Sequence, residues 1–280
     1  MNRNFIDGTV VITGASSGIG LAIAKLFASE SRSLILVARD QLKLENEIQS
    51  IKNSVSASLD IEYRLCDLSV YDEVKQLASD LESMNDLSVL INCAGIANTQ
   101  YLNEIDNDQL AELVGVNLTA PMVLSRAAVR SLSKSNDQGC IINVASMISL
   151  CPYHGYTAYA ASKAGLIAFS DGLRREAKGK NIQVMTILPA DVETPMLKAE
   201  QLTMPLETKI LNGQVKPIDA DVVAQSVLKG LRISAREVVP GKNAKVMRNL
   251  LRFIPRTVAD LVIEKIVKGS TTNEYDKNSA

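Results

Sequence analysis

Tyr159 and Lys163 stand four residues apart in an alanine-rich stretch. On a helix that spacing puts both side chains on one face. A phenol has an ordinary pKa of about 10, too high for a base at neutral pH. An ammonium beside it favours the phenolate. Such a pair can give a proton to a carbonyl oxygen or take one from an alcohol. Ser146, a short way upstream, could hydrogen-bond the oxygen on which charge develops. Near the N-terminus, Thr13-Gly14-Ala15-Ser16-Ser17-Gly18-Ile19-Gly20 follows a run of β-branched residues. Glycines there admit positive φ and let a ligand approach the backbone. Amides that open a helix then form an anion site.

These groups need a scaffold, and the hydrophobic pattern predicts one. Short apolar runs mark strands at Thr9 to Thr13, Ser33 to Ala38, Ile61 to Cys66, Val89 to Asn92, Cys140 to Ser146, Gln183 to Leu188 and Glu237 to Val239. Helical spacing covers Ile19 to Ser29, Leu42 to Ile51, Tyr71 to Met84, Gln109 to Ser133, Tyr156 to Lys178 and Asp219 to Arg232. Pro121 is a break or a first-turn residue, and Asp219 is a cap. Asp191 to Pro217 has little pattern. Continuous apolar strands alternating with helices predict an α/β fold with a parallel sheet covered on both faces. Right-handed crossovers make that sheet doubly wound, of Rossmann type. A single catalytic domain is expected over 1–240, with a helical extension and polar tail over 241–280, frayed from Ser270.

The loop spacing T-G-x-x-x-G-x-G, together with Y-x-x-x-K, resembles the short-chain dehydrogenase/reductase family from Thr9 to about Pro240. Asn92-Cys93-Ala94-Gly95 is similar to that family's N-x-A-G segment after the fourth strand. The resemblance implies a nicotinamide dinucleotide held by Gly14, Ser16, Ser17, Gly18, Ile19 and Gly20, and further along by Asn92, Ala94, Gly95, Pro189 and Val192. Asp67 and Leu68 would contact the adenine, and Thr194 the nicotinamide carboxamide. Tyr159 and Lys163 would touch the cofactor as well. The implied catalytic set is Ser146, Tyr159, Lys163 and Asn117, with Tyr159 as general acid/base. Asn117 would shape its helix and anchor a water linked to Lys163. The hydride chemistry would belong to the cofactor. Cys93 and Ala190 depart from the family pattern, but neither is a proton-transfer group. The implied activity is interconversion of a carbonyl and an alcohol on a small-molecule substrate, in a homodimer or homotetramer built through the long helices. The rival reading is a catalytically silent dinucleotide-binding sensor or scaffold.

Strand two ends Val37-Ala38-Arg39-Asp40. A chain that prefers NAD usually places an acid at that strand end for the ribose hydroxyls. Ala38 stands there instead, and Arg39 beside it can pair with a 2′-phosphate. NADP(H) is therefore expected. NAD(H) is the alternative, favoured if Asp40 approaches the ribose rather than capping the next helix.

Composition narrows the function classes. Hydrophobic residues make up 46% of the 280 and charged residues 22%, with a net charge of −1. This is ordinary globular usage. It argues against a disordered tail protein, a collagen-like repeat or a disulfide scaffold. A whole-chain nucleic-acid binder would be basic, so no nucleic-acid partner is expected. Cys66, Cys93, Cys140 and Cys151 form no CxxC pair, and His154 is the single histidine. No metal site is expected, and the thiols read as reduced in a cytoplasmic protein. Met1 to Asp7 shows no signal pattern. No apolar run approaches the roughly 20 residues of a membrane span.

Ser149 to Thr157 and Asp191 to Val215 should border the substrate, by analogy of fold. Met196, Leu197, Leu202, Met204 and Leu206 could form an apolar lid, and His154 reads as polar surface. Gly241 to Lys268 holds seven basic and two acidic residues. Val246, Leu250, Leu251 and Ile254 line one helical stripe; Pro255 breaks it, and Leu261, Val262 and Ile266 begin another. A basic amphipathic segment can lie peripherally on an anionic membrane surface. It could instead cover the active-site mouth, or pack on its own domain or on another subunit.

Overall fold

The computed structural model describes residues 8–31, 33–55, 59–134 and 138–278, with side chains described as far as residue 270. Among these residues, seven strands form one sheet: β1 (Thr9–Thr13), β2 (Ser33–Ala38), β3 (Asp60–Leu65), β4 (Leu87–Asn92), β5 (Gly139–Val144), β6 (Ile182–Ile187) and β7 (Glu237–Val238). Their order is β3-β2-β1-β4-β5-β6-β7. Every pairing is parallel, as expected of strands that are apolar on both sides.

Helices α1 (Gly18–Ala28), α2 (Gln41–Ser54), α3 (Tyr71–Ser83), α4 (Asn107–Val114), α5 (Ala120–Leu132) and α6 (Thr157–Glu176) provide the crossovers up to β6. The period-2 alternation of the central strands divides the core in two. Val10, Ile12, Ile91 and Ile142 face Ile23 and Phe27 of α1 and Val223 and Val227 of α9 (Ala220–Arg232). Val11, Leu90 and Ile141 face Val74 and Leu77 of α3 and Leu124 and Ala128 of α5. Each large side chain buried in these layers contributes about 1.5–3 kcal/mol.

The expected helix over Gln109 to Ser133 is one helical run with a local widening. A π-type turn at Gly115–Thr119 joins α4 to α5. Pro121 sits in the first turn of α5, where a missing N–H leaves no helical bond unmade. Asp219 caps α9 by accepting from Asp221 N–H at 2.9 Å.

Two stretches differ from the sequence reading. The poorly patterned 191–217 stretch contains two short helices, α7 (Pro195–Thr203) and α8 (Leu206–Asn212). Both are too short for a periodic stripe to stand out, and prolines open them rather than break them: Pro195 begins α7 and Pro205 caps α8. The basic extension forms α10 (Lys242–Leu250) and α11 (Arg256–Asn278), with Pro255 just before α11. Instead of fraying at Ser270, α11 stays helical to Asn278. Its body packs against α8, and tertiary packing is what commonly sustains a helix of polar sequence. On α10, Arg248 pairs with both carboxylate oxygens of Glu237, at 2.9 and 3.1 Å.

Candidate active site

The sheet order reverses between β1 and β4, and in such sheets the loops at the strands' C-terminal ends open a crevice. The hydroxyl of Thr13, at the end of β1, closes the floor of that crevice. It accepts from the N–H groups of Cys93 at 3.0 Å and Ala94 at 3.1 Å. The glycine loop is thereby held against the segment that follows β4. At Gly14 φ is +69°, and a Cβ would lie 2.8 Å from the Ala94 Cα. At Gly18 φ is +52°, and a Cβ would meet the Thr194 methyl at 3.1 Å. Gly18 opens α1, and Ser17 before it makes no side-chain cap. The first amides of α1 therefore face outward as an anion cradle. A pyrophosphate-bearing ligand fits this arrangement.

Around the cradle the structure places the other expected cofactor residues unevenly. Ser16, Ser17 and Ile19 line the rim, whereas Gly20 is buried. Arg39 follows β2 with its side chain 68% exposed, 3.9 Å from Asp67. The Asp40 carboxylate accepts from the Lys43 N–H at 3.1 Å and so caps α2. Asp67 accepts from the N–H and hydroxyl of Ser69 at 2.9 and 2.7 Å, and Leu68 is buried beside it. Asn92 is a different case. Its amide donates to Ser125 at 3.0 Å and to Asn143 at 2.8 Å inside the fold. The backbone from Asn92 to Gly95, rather than the Asn92 side chain, is left to border the crevice. Across it, the Pro189 carbonyl accepts from Met147 N–H at 2.9 Å. Val192 is buried and bridges to Ile218, and the Thr194 hydroxyl caps α7.

The residues expected to transfer the proton converge. Ser146 ends the strand-five segment and accepts from Ile148 N–H at 3.3 Å. Lys163 is buried, donates to the Val144 carbonyl at 3.0 Å, and holds its ammonium 5.8 Å from the centre of the Tyr159 ring. Asn117 lies in the π turn and is fully buried. Its oxygen accepts from Ile96 N–H at 2.9 Å, and its amide donates to the Ile96 carbonyl at 2.8 Å and to Ser162 at 3.2 Å. Gly95 lets this group and Lys163 come close: a Cβ there would lie 3.1 Å from Asn117 Oδ1 and 3.3 Å from Lys163 Nζ.

The electrostatics differ from the sequence expectation that Lys163 lowers the phenol. Burial pushes the Tyr159 phenol up, the Glu200 carboxylate pushes it further, and a hydrogen bond with Ser146 only partly offsets this. Burial likewise lowers Lys163 to about 8. Desolvation disfavours both charged forms. Burial also raises the Cys93 thiol, to about 12.

The expected lid divides by helix face. Leu197 and Met204 turn inward, whereas Leu202 is 84% exposed and Leu206 also points outward. Between the inward pair sits Glu200, a buried carboxylate that the sequence reading did not single out. Its place on the Leu197/Met204 stripe, at helical spacing, was the available signal. Tyr156 and Thr99, which bond to Glu200, carried no signal of their own. His154 is exposed, and its carbonyl accepts from Thr208 at 2.7 Å.

Comparison with known proteins agrees with this geometry. The family model described as short chain dehydrogenase matches residues 8–205. The 3-oxoacyl-(acyl-carrier-protein) reductase of Chlamydia trachomatis is 32% identical over 71% of this chain and 79% of its own. The 3-ketodihydrosphingosine reductase of Bos taurus is 30% identical over 79% of this chain and 67% of its own. Among solved structures, a short-chain dehydrogenase from Sphingobium yanoikuyae in complex with NADPH superposes with a TM-score of 0.76 at 25% identity, across 89% of this chain and 96% of that one.

The Asn117 contacts yield a test of the site's frame. Asn117→Ala leaves both backbone groups of Ile96 unpaired in a buried place, and is expected to cost about 1–3 kcal/mol of stability. Urea denaturation measures this, and an unchanged midpoint would contradict the bonding described.

Proposed function

The chain belongs to the short-chain dehydrogenase family, and from that premise we propose an NADP(H)-dependent ketone reductase in which Tyr159 is the general acid/base. One observation carries the reading. A glycine cradle with outward helix amides meets a partly buried tyrosine and serine backed by a buried lysine, at one end of a doubly wound sheet. The cradle of Gly14, Ser16, Ser17, Gly18, Ile19 and Gly20 suits a pyrophosphate. Asp67 and Leu68 would hold the adenine side. Ala94, Gly95, Pro189, Val192 and Thr194, with the Asn92 backbone, would hold the nicotinamide side.

A nicotinamide dinucleotide supplies the hydride and, when oxidised, a positive charge that favours the phenolate. The chain's own groups manage the proton and the oxygen. Tyr159 gives its proton to the carbonyl oxygen while the carbonyl carbon is reduced, and takes one back in the alcohol direction. Ser146 donates a hydrogen bond to the same oxygen and stabilises the charge that develops there. Lys163, fixed on the Val144 carbonyl, is a proton donor behind the phenol. Asn117 holds the π turn and the Gly95 segment at the distance that pair requires.

Arg39 supports NADP(H) over NAD(H). Its ion pair with Asp67 is long and exposed, which leaves the guanidinium free to meet a 2′-phosphate. The Asp40 carboxylate, occupied as a cap, does not compete for the ribose. NADPH in turn favours reduction as the working direction. The names of the two relatives specify a 3-oxo and a 3-keto compound. Together with the inward Leu197 and Met204, they support a 3-keto substrate with an apolar body.

Among the described residues, no helix is long and apolar enough to cross a membrane. The extension over 241–268 suits peripheral contact instead. Val246, Met247, Leu250, Leu261 and Val262 are exposed, and Phe253 is 86% exposed, among seven basic residues. This is the composition of a segment that rests on anionic lipid, and it fits a cytoplasmic protein at a membrane surface. A homodimer or homotetramer through α5 and α6 accords with the family and with exposed Met122 on α5.

Three measurements test the reading. Tyr159→Phe should lower kcat for NADPH-dependent reduction of ethyl acetoacetate by about 10²–10⁴-fold with NADPH affinity kept. NADPH binding without turnover in either protein, across a panel of ketones, aldehydes and quinones, would favour a silent sensor. Arg39→Ala should lose about 10–100-fold in kcat/KM with NADPH and little with NADH; equal losses with both would reject the NADP(H) assignment. Sedimentation with phosphatidylserine vesicles should detect the full chain, and replacing Lys242, Lys245 and Arg252 together by Glu should abolish it, at about 1 kcal/mol per basic residue. Equal binding by the two proteins would remove the membrane reading.

A further inference from the structure

Glu200 is an uncommon residue for its place. It lies on α7 at 9% exposure, where burial raises its carboxyl above the usual range. A carboxylate in such surroundings is expensive unless hydrogen bonds repay its lost hydration. Two bonds do so, both to Oε2: the Tyr156 hydroxyl donates at 2.7 Å and the Thr99 hydroxyl at 3.3 Å. Thr99 belongs to the loop after β4, and Tyr156 immediately precedes α6. The carboxylate thus joins three segments that are distant in sequence.

The connection extends to the second lid helix. Asn212 at the end of α8 donates to the Tyr156 oxygen at 3.2 Å, and its own oxygen accepts from Tyr153 at 2.6 Å. The Tyr156 ring lies 5.9 Å from the Tyr159 ring and 5.6 Å from the Tyr153 ring. Glu200, Tyr156, Asn212 and Tyr153 therefore form one network of contacts, and Tyr156 within it lies against the ring of the proposed acid/base.

We propose that Glu200 is a positioning residue: through Tyr156 it ties α7 and α8 over the tyrosine face of the site, and its buried negative charge favours Tyr159 as proton donor. The assignment rests on the role given to Tyr159 above. The groups facing Tyr159 are Lys163 on its own helix, Tyr156 before it, Ser146 after β5, Cys93 after β4, Asp191 after β6 and Glu200 on α7. Asp191 and Glu200 are the two carboxylates, and of these Glu200 acts more strongly. Burial raises the Glu200 carboxyl above the usual carboxylate range, and the Tyr156 and Thr99 bonds favour its ionised form without cancelling that rise. A negative charge nearby disfavours a second one on the phenol.

Two variants separate the charge from the tie. Glu200→Gln keeps the shape and removes the charge. In the NADP+ complex of the full chain, Tyr159 ionisation is read as the phenolate ultraviolet band of each protein minus that of its Tyr159→Phe counterpart. The band should appear about one pH unit lower in Glu200→Gln than in the parent; an unchanged titration overturns the electrostatic part. Tyr156→Phe keeps the ring and removes the bond. Amide hydrogen exchange over 195–212 should then speed up about tenfold, and an unchanged rate overturns the tie. Neither readout depends on turnover. Full activity in Tyr159→Phe would refute the functional reading on its own, while these two measurements would still decide what Glu200 does.

Discussion

Parallel pairing of β1 with both β2 and β4 is the constraint on which the rest of the molecule depends. Parallel strands point the same way, so the chain must cross over a helix each time it returns. Crossovers leave β1 to one side toward β2 and reach β4 on the other, and the loops at the two C-terminal ends are pushed apart. The glycine loop, the segment after β4, Ser146 and the 189–194 segment all emerge at that end. Thr13 then fixes the first two to each other through the Cys93 and Ala94 amides. A central strand with an apolar core on both faces gives this arrangement a rigid floor.

Burial, which provides that rigidity, also sets the electrostatics. Tyr159 and Lys163 sit where both charged forms are disfavoured. Buried amides hold the frame without adding charge: Asn117 to the Ile96 backbone, and Asn92 to Asn143 and Ser125.

The side of the site proposed for the substrate is assembled differently. Its two lid helices are short and opened by prolines, so they contribute little stability alone. Polar side-chain contacts link them to the rest: Glu200 to Tyr156 and Thr99, Asn212 to Tyr153, Thr208 to the His154 carbonyl. On the outside, α11 packs against α8. The basic extension is therefore mechanically coupled to α8.

The strands, most of the helices and the glycine loop were legible in the residues themselves, because each depends on local rules. Apolar runs such as Ser33–Ala38 identify buried strands, and Thr13 to Gly20 carries its turn chemistry in its glycines. The Tyr159–Lys163 spacing defines a shared helix face, and Asp40 was open to reading as a cap. Other features depended on contacts between distant segments. The two lid helices were hidden because their stripes are short and their prolines look like breaks. The withdrawal of the Asn92 side chain into the core needed Ser125 and Asn143 beside it. Burial of Lys163 and partial burial of Tyr159, which oppose the charged form of each, needed the whole fold around them. Glu200 shows the division most plainly. The sequence by itself determined only that a carboxylate stands three residues after Leu197 and four before Met204. Only the tertiary structure decided that this carboxylate is closed from water, because closure requires Thr99 and Tyr156 to arrive from other parts of the chain.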